Sequence, residues 1–263
     1  MRLLILLSLL LALAACDTGT DGTNNAAGSN TIIQWDRSPE TVVFRAEVTG
    51  GQSDGTFLAR NEIPLCTIYG DNRVIWLNEL DDFDVQVLWD KVTDQQIQDF
   101  VSLLTISRRV FTYDAGADLQ LPSDIQPVVE VLYVNVNDRE HTADSFSSEP
   151  WPFDYFSGIV DFCKQVSRAP VIYEPEGAWL TVQPADYDSS RPMQVWNSEA
   201  AGLNFGERAA SNESTWLTGP NLKILWNTIR SSSPNVLFTD MDGNAFEVVL
   251  EVPGVNPSSP PAP

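Results

Sequence analysis

Alternating apolar and polar residues predict β-strands along much of the chain. The clearest early example is residues 41–49, where every second residue is apolar: Val42, Phe44, Ala46 and Val48. A period of two places these side chains on one face of a strand. Residues 128–136 are rich in valine and other strand-forming residues, so we expect another strand there.

Two further segments have the pattern of a β-hairpin. In each, two apolar runs enclose a short turn that contains glycine, and Gly and Asn accept the positive φ angles that tight turns require. The predicted hairpins are residues 63–69 with 73–77 around Gly70-Asp71-Asn72, and residues 235–241 with 244–252 around Asp242-Gly243.

Three segments with apolar residues three and four positions apart predict amphipathic helices. The first begins after Thr93, which forms a capping-box sequence with Gln96. The second spans residues 153–166, and the third starts near Thr218 with Pro220 in its first turn. Their apolar faces are Ile97, Phe100, Val101 and Leu104; Phe156, Ile159, Val160, Cys163 and Val166; and Leu222, Leu225, Trp226 and Ile229.

Together these elements predict an α+β fold that is antiparallel, β-rich and contains about three helices. The first and third helices have identical apolar spacing, and each precedes a Phe-Thr pair, at Phe111 and at Phe238. This similarity suggests two related α+β halves, residues 31–150 and 151–252. The alternatives are one joint domain and a chance match, because any capped amphipathic helix shows the same spacing.

The N-terminus has the pattern of an export signal. A basic start at Arg2 precedes a short apolar run, which is too short for a permanent membrane span. The sequence Leu13-Ala14-Ala15-Cys16 resembles the lipobox of bacterial lipoproteins. For residues 1–17, this resemblance implies cleavage of residues 1–15 and a diacylglycerol on the sulfur of Cys16. An ordinary secretory signal with a chance cysteine is the alternative.

Both ends of the remaining chain have compositions typical of irregular structure. Residues 17–30 contain no large apolar side chain, so residues 16–30 are predicted to be a lipidated cysteine and a flexible tether. Residues 253–263 include five prolines in eleven positions, which predicts a disordered tail.

The charge of the chain restricts its partners. It contains 36 Asp and Glu against 15 Lys and Arg, a formal net charge of −21. Such a surface repels phosphate backbones, so we exclude nucleic acid and expect partners with positive charge.

If Cys16 carries lipid, Cys66 and Cys163 remain as an even pair in an oxidising compartment. They form either a disulfide or two buried thiols.

Few residues suggest chemistry, and we predict no catalytic residue, metal site or cofactor. The single histidine, His141, has carboxylate neighbours but fits a charged edge strand better than a metal or base site. Residues 240–244 fit a hairpin turn better than a calcium loop, since their glycine comes too early. Glu174 and Glu176 are a conceivable catalytic pair, although the sequence around them is typical of a turn.

Tryptophan is the most distinctive residue type, with eight copies. Trp35, Trp151 and Trp196 lie in polar or proline-rich surroundings, which suggests partly exposed rings that stack on sugars or peptides. Packing beneath loops is the alternative.

The sequence therefore predicts a membrane-anchored protein of the cell envelope that acts outside the cytoplasm as a binding module. Envelope proteins, glycan or a cationic ligand are the expected partners. A carboxylate-based hydrolase acting on envelope glycan or peptide is the alternative.

Overall fold

The computed structural model describes residues 33–51, 55–81, 84–117, 127–211 and 213–263. Within these ranges it contains twelve strands and five α-helices, which confirms the α+β class. The strands are β1 Val42–Gly50, β2 Cys66–Tyr69, β3 Arg73–Asp81, β4 Asp84–Lys91, β5 Val128–Val136, β6 Arg139–Asp144, β7 Val171–Ile172, β8 Gly177–Ala185, β9 Met193–Val195, β10 Thr215–Thr218, β11 Leu237–Thr239 and β12 Ala245–Glu251. The helices are α1 Asp94–Ser102, α2 Tyr155–Lys164, α3 Ser198–Ala201, α4 Phe205–Ser211 and α5 Gly219–Arg230. None of the described helices has the length and apolar composition needed to cross a membrane.

The first sheet has seven strands in the order β6-β5-β1-β2-β3-β4-β7, with every neighbouring pair antiparallel. The predicted hairpin of β2 and β3 is present, with Cys66 opposite Trp76. Asn72 in its turn has a φ of 71°, as the turn sequence predicted. Apolar residues on one face of this sheet pack with α1 and α2 to form the first core.

Helix α1 starts as its capping-box sequence predicts. The Thr93 side chain accepts a hydrogen bond from the backbone N–H of Gln96, and the Gln96 side chain accepts one from the Thr93 backbone. These bonds satisfy backbone donors that a helix N-terminus otherwise leaves open. Ile97, Phe100 and Val101 are buried in the first core, as their predicted apolar face requires.

The second sheet has five strands in the order β10-β8-β12-β11-β9. Its pairs are antiparallel except for β9 with β11. The predicted hairpin of β11 and β12 places Phe238 opposite Phe246, and Gly243 in its turn has a φ of 85°. The apolar face of α5 and the inner face of this sheet form the second core, which α4 also enters through Phe205.

The two cores share the first sheet, so residues 33–263 form one compact unit. Val74 and Trp76 of β3 lie in the first core, whereas Ile75 between them lies in the second. A strand that is buried on both faces needs apolar residues at consecutive positions, and β3 has them.

The division at residue 150 and the repeat are therefore wrong. Helix α2 and strand β7 follow that boundary, yet α2 packs in the first core and β7 pairs with β4. The strand orders of the two sheets also differ. Phe111 lies in a 3₁₀ turn, Val110–Thr112, whereas its supposed counterpart Phe238 lies in β11. The shared helix spacing reflects only the common period of amphipathic helices.

The expectation of a disordered tail after residue 252 is also wrong. Asn256 is 3% exposed, and its amide donates hydrogen bonds to the carbonyls of Arg60 and Glu62. Its side-chain oxygen accepts a hydrogen bond from the N–H of Val252. Further along, the carbonyl of Pro261 accepts a hydrogen bond from the Trp179 indole. Proline prevents regular structure here but does not prevent packing, because side chains and carbonyls still find partners.

Candidate functional site

A cleft of about 550 Å³ lies beside the N-terminus of α2. One wall comes from residues 107–113, which follow α1, and the other from residues 149–155, which lead into α2. Pockets that hold small ligands commonly have volumes of about 300–1,000 Å³. We therefore take this cleft as the candidate ligand site.

The first wall has an irregular backbone that presents two arginines in succession. After α1 the chain widens into a π-helical segment, Leu103–Ser107, which ends when the N–H of Arg108 bonds to the carbonyl of Leu103. Arg109 then adopts the left-handed conformation, with a φ of 53°. The side chains of Arg108 and Arg109 both line the cleft. π-helical turns and non-glycine residues in the left-handed region are both enriched at functional sites.

The carbonyl of Arg109 fixes the turn that follows. It accepts hydrogen bonds from both the N–H and the hydroxyl of Thr112, at 2.9 and 2.8 Å. The turn directs Thr112 and Tyr113 towards the cleft that the two arginines line. The backbone thus brings two positive charges, one hydroxyl and one aromatic ring to the same wall.

The second wall is held to the first by Asp114. Its carboxylate accepts hydrogen bonds from the hydroxyls of Ser147 and Ser148 and from the N–H of Ser148. These bonds, led by the one from Ser147, hold the pKa of Asp114 below its usual range. They fix the segment that carries Glu149, the one carboxylate among the described lining residues.

Four aromatic rings connect the cleft to the first core. Tyr155 lies 4.9 Å from Tyr113 and 5.2 Å from Trp151 between ring centroids, and Trp151 stacks on Phe156. The Tyr155 hydroxyl donates a hydrogen bond to the carbonyl of Arg108. Burial raises the pKa of Tyr155, so its hydroxyl stays protonated as this donor. The buried Trp151 Nε1 has no hydrogen-bond partner among the described residues.

Exposed apolar residues adjoin both walls of the cleft in sequence. Ile106, directly before Ser107 of the first wall, is 74% exposed. Phe153, directly after Pro152 of the second wall, is 95% exposed. A phenylalanine with almost its whole surface in water gains apolar burial only when another molecule covers it.

The hypothesis of an exposed tryptophan platform is wrong for two of its three residues. Trp35 and Trp196 are 8% and 4% exposed. Their indole N–H groups donate to the carbonyls of Gly70 and Leu203, respectively. Long-range packing beneath loops thus buries these rings, as the alternative held. Trp151 is half-buried against the first core and supports the aromatic wall rather than lining the cleft.

The other residues with suggestive chemistry have structural partners. His141 lies on the edge strand β6, where its ring contacts Phe111 and its Nε2 lies 3.1 Å from the carbonyl of Val110. The carboxylate of Asp240 accepts hydrogen bonds from its own turn, from the N–H groups of Asp242 and Asn244. No group of three or more potential metal ligands occurs among the residues described.

The conceivable carboxylate pair does not converge on the cleft. Glu174 forms an exposed ion pair with Lys223 of α5. Glu174 and Glu176 lie in the connection from β7, in the first sheet, to β8, in the second. This region is separate from the residues that line the cleft.

The two cysteines of the folded part form a disulfide. It joins Cys66 of β2 to Cys163 of α2, and both residues are fully buried in the first core. The bond therefore attaches α2, whose N-terminus forms a wall of the cleft, to the centre of the first sheet. Cys16 and the rest of residues 1–32 lie outside the described residues.

No protein-family model, curated protein or solved structure matches this chain. We therefore infer function from the residues of the site. Sequence reasoning missed the cleft, although two consecutive arginines in so acidic a chain were a signal that could have led to it.

Proposed function

We propose that the protein is a lipid-anchored module of the cell envelope that binds a ligand in the cleft between residues 107–113 and 149–155. The single observation that carries the proposal is the presence of Arg108 and Arg109 together in one cleft of a chain with a net charge of −21. Concentrating positive charge against the overall charge of the protein favours a specific ligand.

The lipid anchor is proposed from the N-terminal sequence, which resembles the lipobox. An anchor at Cys16 followed by a polar tether would hold the binding unit outside the cytoplasm, near the membrane surface. Mass spectrometry of the protein made with its own leader tests this part. We expect loss of residues 1–15 and a diacylglyceryl mass on Cys16, both abolished by Cys16→Ser. An intact leader, or an unmodified thiol at Cys16, would reject the anchor.

Ligand binding is tested by blocking the cleft without changing its charge. Small molecules, glycan fragments and peptides from the cell envelope are titrated calorimetrically against the chain from residue 16 onward, carrying Cys16→Ser. We expect Ser107→Trp to weaken binding at least ~10-fold, because a large ring fills the space of a lining residue. The exposed Ser157 on α2 provides the matched control, Ser157→Trp. The proposal fails if no component binds, or if Ser107→Trp leaves binding unchanged.

A further inference from the structure

We infer that the ligand of this cleft is an amphipathic anion, a molecule that carries a phosphate or carboxylate on an apolar body. The inference rests on the proposed function of the cleft and goes on to name its ligand class. Two independent observations carry it: two arginines that pair with no described carboxylate line the cleft, and exposed apolar residues adjoin both of its walls in sequence.

The first observation is that Arg108 and Arg109 line the cleft together and form no ion pair with any carboxylate that the structure describes. Five arginines form ion pairs with carboxylates: Arg37, Arg45, Arg60, Arg73 and Arg191. Among the described residues, Arg108 and Arg109 form none, although acidic residues outnumber basic ones by more than two to one. Four further described arginines also form none, but they do not line the cleft: Arg139, Arg168, Arg208 and Arg230. A guanidinium is a planar fork of donors that matches a carboxylate or a phosphate.

The guanidinium of Arg108 is oriented by a contact that does not neutralise its charge. Its guanidinium carbon lies 5.1 Å from the centroid of the Phe162 ring of α2. A ring face attracts the cation and holds it in place but supplies no acceptor for its N–H groups. An oxyanion in the cleft would supply that acceptor, and the hydroxyl of Tyr113 on the same wall adds a further donor.

The second observation concerns the edges of the cleft. Ile106 and Phe153 directly adjoin lining residues of opposite walls in sequence, and they are 74% and 95% exposed. An anion such as inorganic phosphate would leave both in water. A ligand with an apolar body buries them together, at about 25 cal/mol for each Å² of apolar surface covered. The cleft of about 550 Å³ then holds the charged group, and the apolar part lies across Phe153 and Ile106.

Calorimetric titration of the chain from residue 16 onward, with Cys16→Ser, tests the ligand class. The probes are dodecyl phosphate, laurate, dodecyltrimethylammonium and inorganic phosphate, each below its micelle concentration. We expect dodecyl phosphate and laurate to bind at least ~10-fold more tightly than both inorganic phosphate and the cationic amphiphile. Equal binding of the anionic and cationic amphiphiles would overturn the inference.

Three substitutions assign the binding to the cleft. Arg109→Asn removes a charge while retaining a residue that tolerates the left-handed conformation, and we expect ~5- to 10-fold weaker binding of dodecyl phosphate. Glu149→Gln removes repulsion, so we expect binding to strengthen by ~2- to 5-fold. Phe153→Ser should weaken the binding of dodecyl phosphate but leave the binding of inorganic phosphate unchanged.

Matched controls separate these effects from general changes of charge or surface. Arg168, exposed after the C-terminus of α2, gives the charge control Arg168→Asn. Met241, 74% exposed in the turn before β12, gives the apolar control Met241→Ser. Neither should change binding by more than ~2-fold. If Arg168→Asn weakens binding as much as Arg109→Asn, the anion is held by general charge and the inference fails.

Vesicles distinguish the two sources of such an anion. Phosphatidylglycerol in phosphatidylcholine vesicles presents the anion in a bilayer, whereas monomeric dodecyl phosphate presents it in solution. Binding to either source that depends on Arg109 supports the inference and identifies the source. Absence of binding to both overturns it. If a neutral or cationic envelope component binds instead and Ser107→Trp abolishes that binding, the inference fails while the proposed function stands.

Discussion

The hydroxyl of Tyr155 donates a hydrogen bond of 2.9 Å to the carbonyl oxygen of Arg108. This bond joins the first turn of α2 to the backbone that carries both arginines of the cleft. The backbone of Arg109, the next residue, has the left-handed conformation. The orientation of Arg109 therefore depends on the residues that hold Arg108 in place.

Replacing Tyr155 by Phe tests this connection. The substitution keeps the ring in the aromatic cluster and leaves the Arg108 carbonyl without this donor. We expect the free energy of unfolding in urea to fall by about 1–2 kcal/mol. The exposed Tyr187 provides the control Tyr187→Phe, which should change it by less than ~0.5 kcal/mol. An unchanged stability for Tyr155→Phe would show that this hydrogen bond does not hold the wall.

Removal of the disulfide should strongly destabilise the first core. Cys66 and Cys163 are 97 residues apart in sequence, so the bond restricts a long loop of the unfolded chain. The double variant Cys66→Ala, Cys163→Ala should lose about 3–5 kcal/mol of unfolding free energy. Thiol titration of the unfolded, non-reduced wild type should find neither cysteine free. Two free thiols would contradict the disulfide.

The buried amide of Asn256 should make the C-terminal segment necessary for stability. Asn256→Ala removes the hydrogen bonds that this side chain forms with the carbonyls of Arg60 and Glu62 and with the N–H of Val252. We expect a loss of about 2–4 kcal/mol in urea unfolding. The exposed Asn227 of α5 is the control, because Asn227→Ala should be neutral or slightly stabilising. Equal effects of the two substitutions would show that the segment is dispensable.

The hydrogen bonds to Asp114 predict an acid dependence of stability. They lower the pKa of Asp114 from 3.8 in the folded state, so their contribution is present above that value. It is lost as the pH falls through the lower, folded-state pKa. Asp114→Asn should therefore be less stable than wild type near neutral pH, with the difference narrowing in acid.

Urea unfolding at a series of pH values measures this narrowing. Ser147→Ala removes the hydrogen bond that lowers the pKa of Asp114 most. Its stability difference from wild type should also narrow in acid, but it should be smaller than that of Asp114→Asn. A difference between Asp114→Asn and wild type that stays constant from neutral pH to about pH 3 would contradict the linkage.

Features set by neighbouring residues could be predicted from the sequence. The capping box at Thr93, the Asn72 turn and the hairpin at Gly243 depend on a few consecutive residues, and all three are present. The amphipathic face of α5 also follows from local spacing.

Features that depend on distant partners could not be predicted. Alternation placed Val42 and Phe44 on one face, but a register shift between them directs Val42 to the second core and Phe44 to the first. The burial of Trp35 depends on a carbonyl 35 residues away in sequence. In the cleft, the left-handed Arg109 has no glycine to mark it, since the fold imposes that conformation.

Strand β12 pairs with β11 only through Ala245 and Phe246, and the part of this edge beyond that pairing has a consequence for how the protein is made. There the side-chain amide of Asn61 forms the hydrogen bonds that a neighbouring strand would form. It donates to the carbonyl of Val248 and accepts from the N–H of Leu250. Asn256, which reaches back to Arg60 and Glu62, holds that segment in place. Residues at the two ends of the fold must therefore meet before the second sheet is complete. A chain emerging from a ribosome or an export channel can therefore complete the second sheet only after β12 has passed through, although Asn61 emerges much earlier.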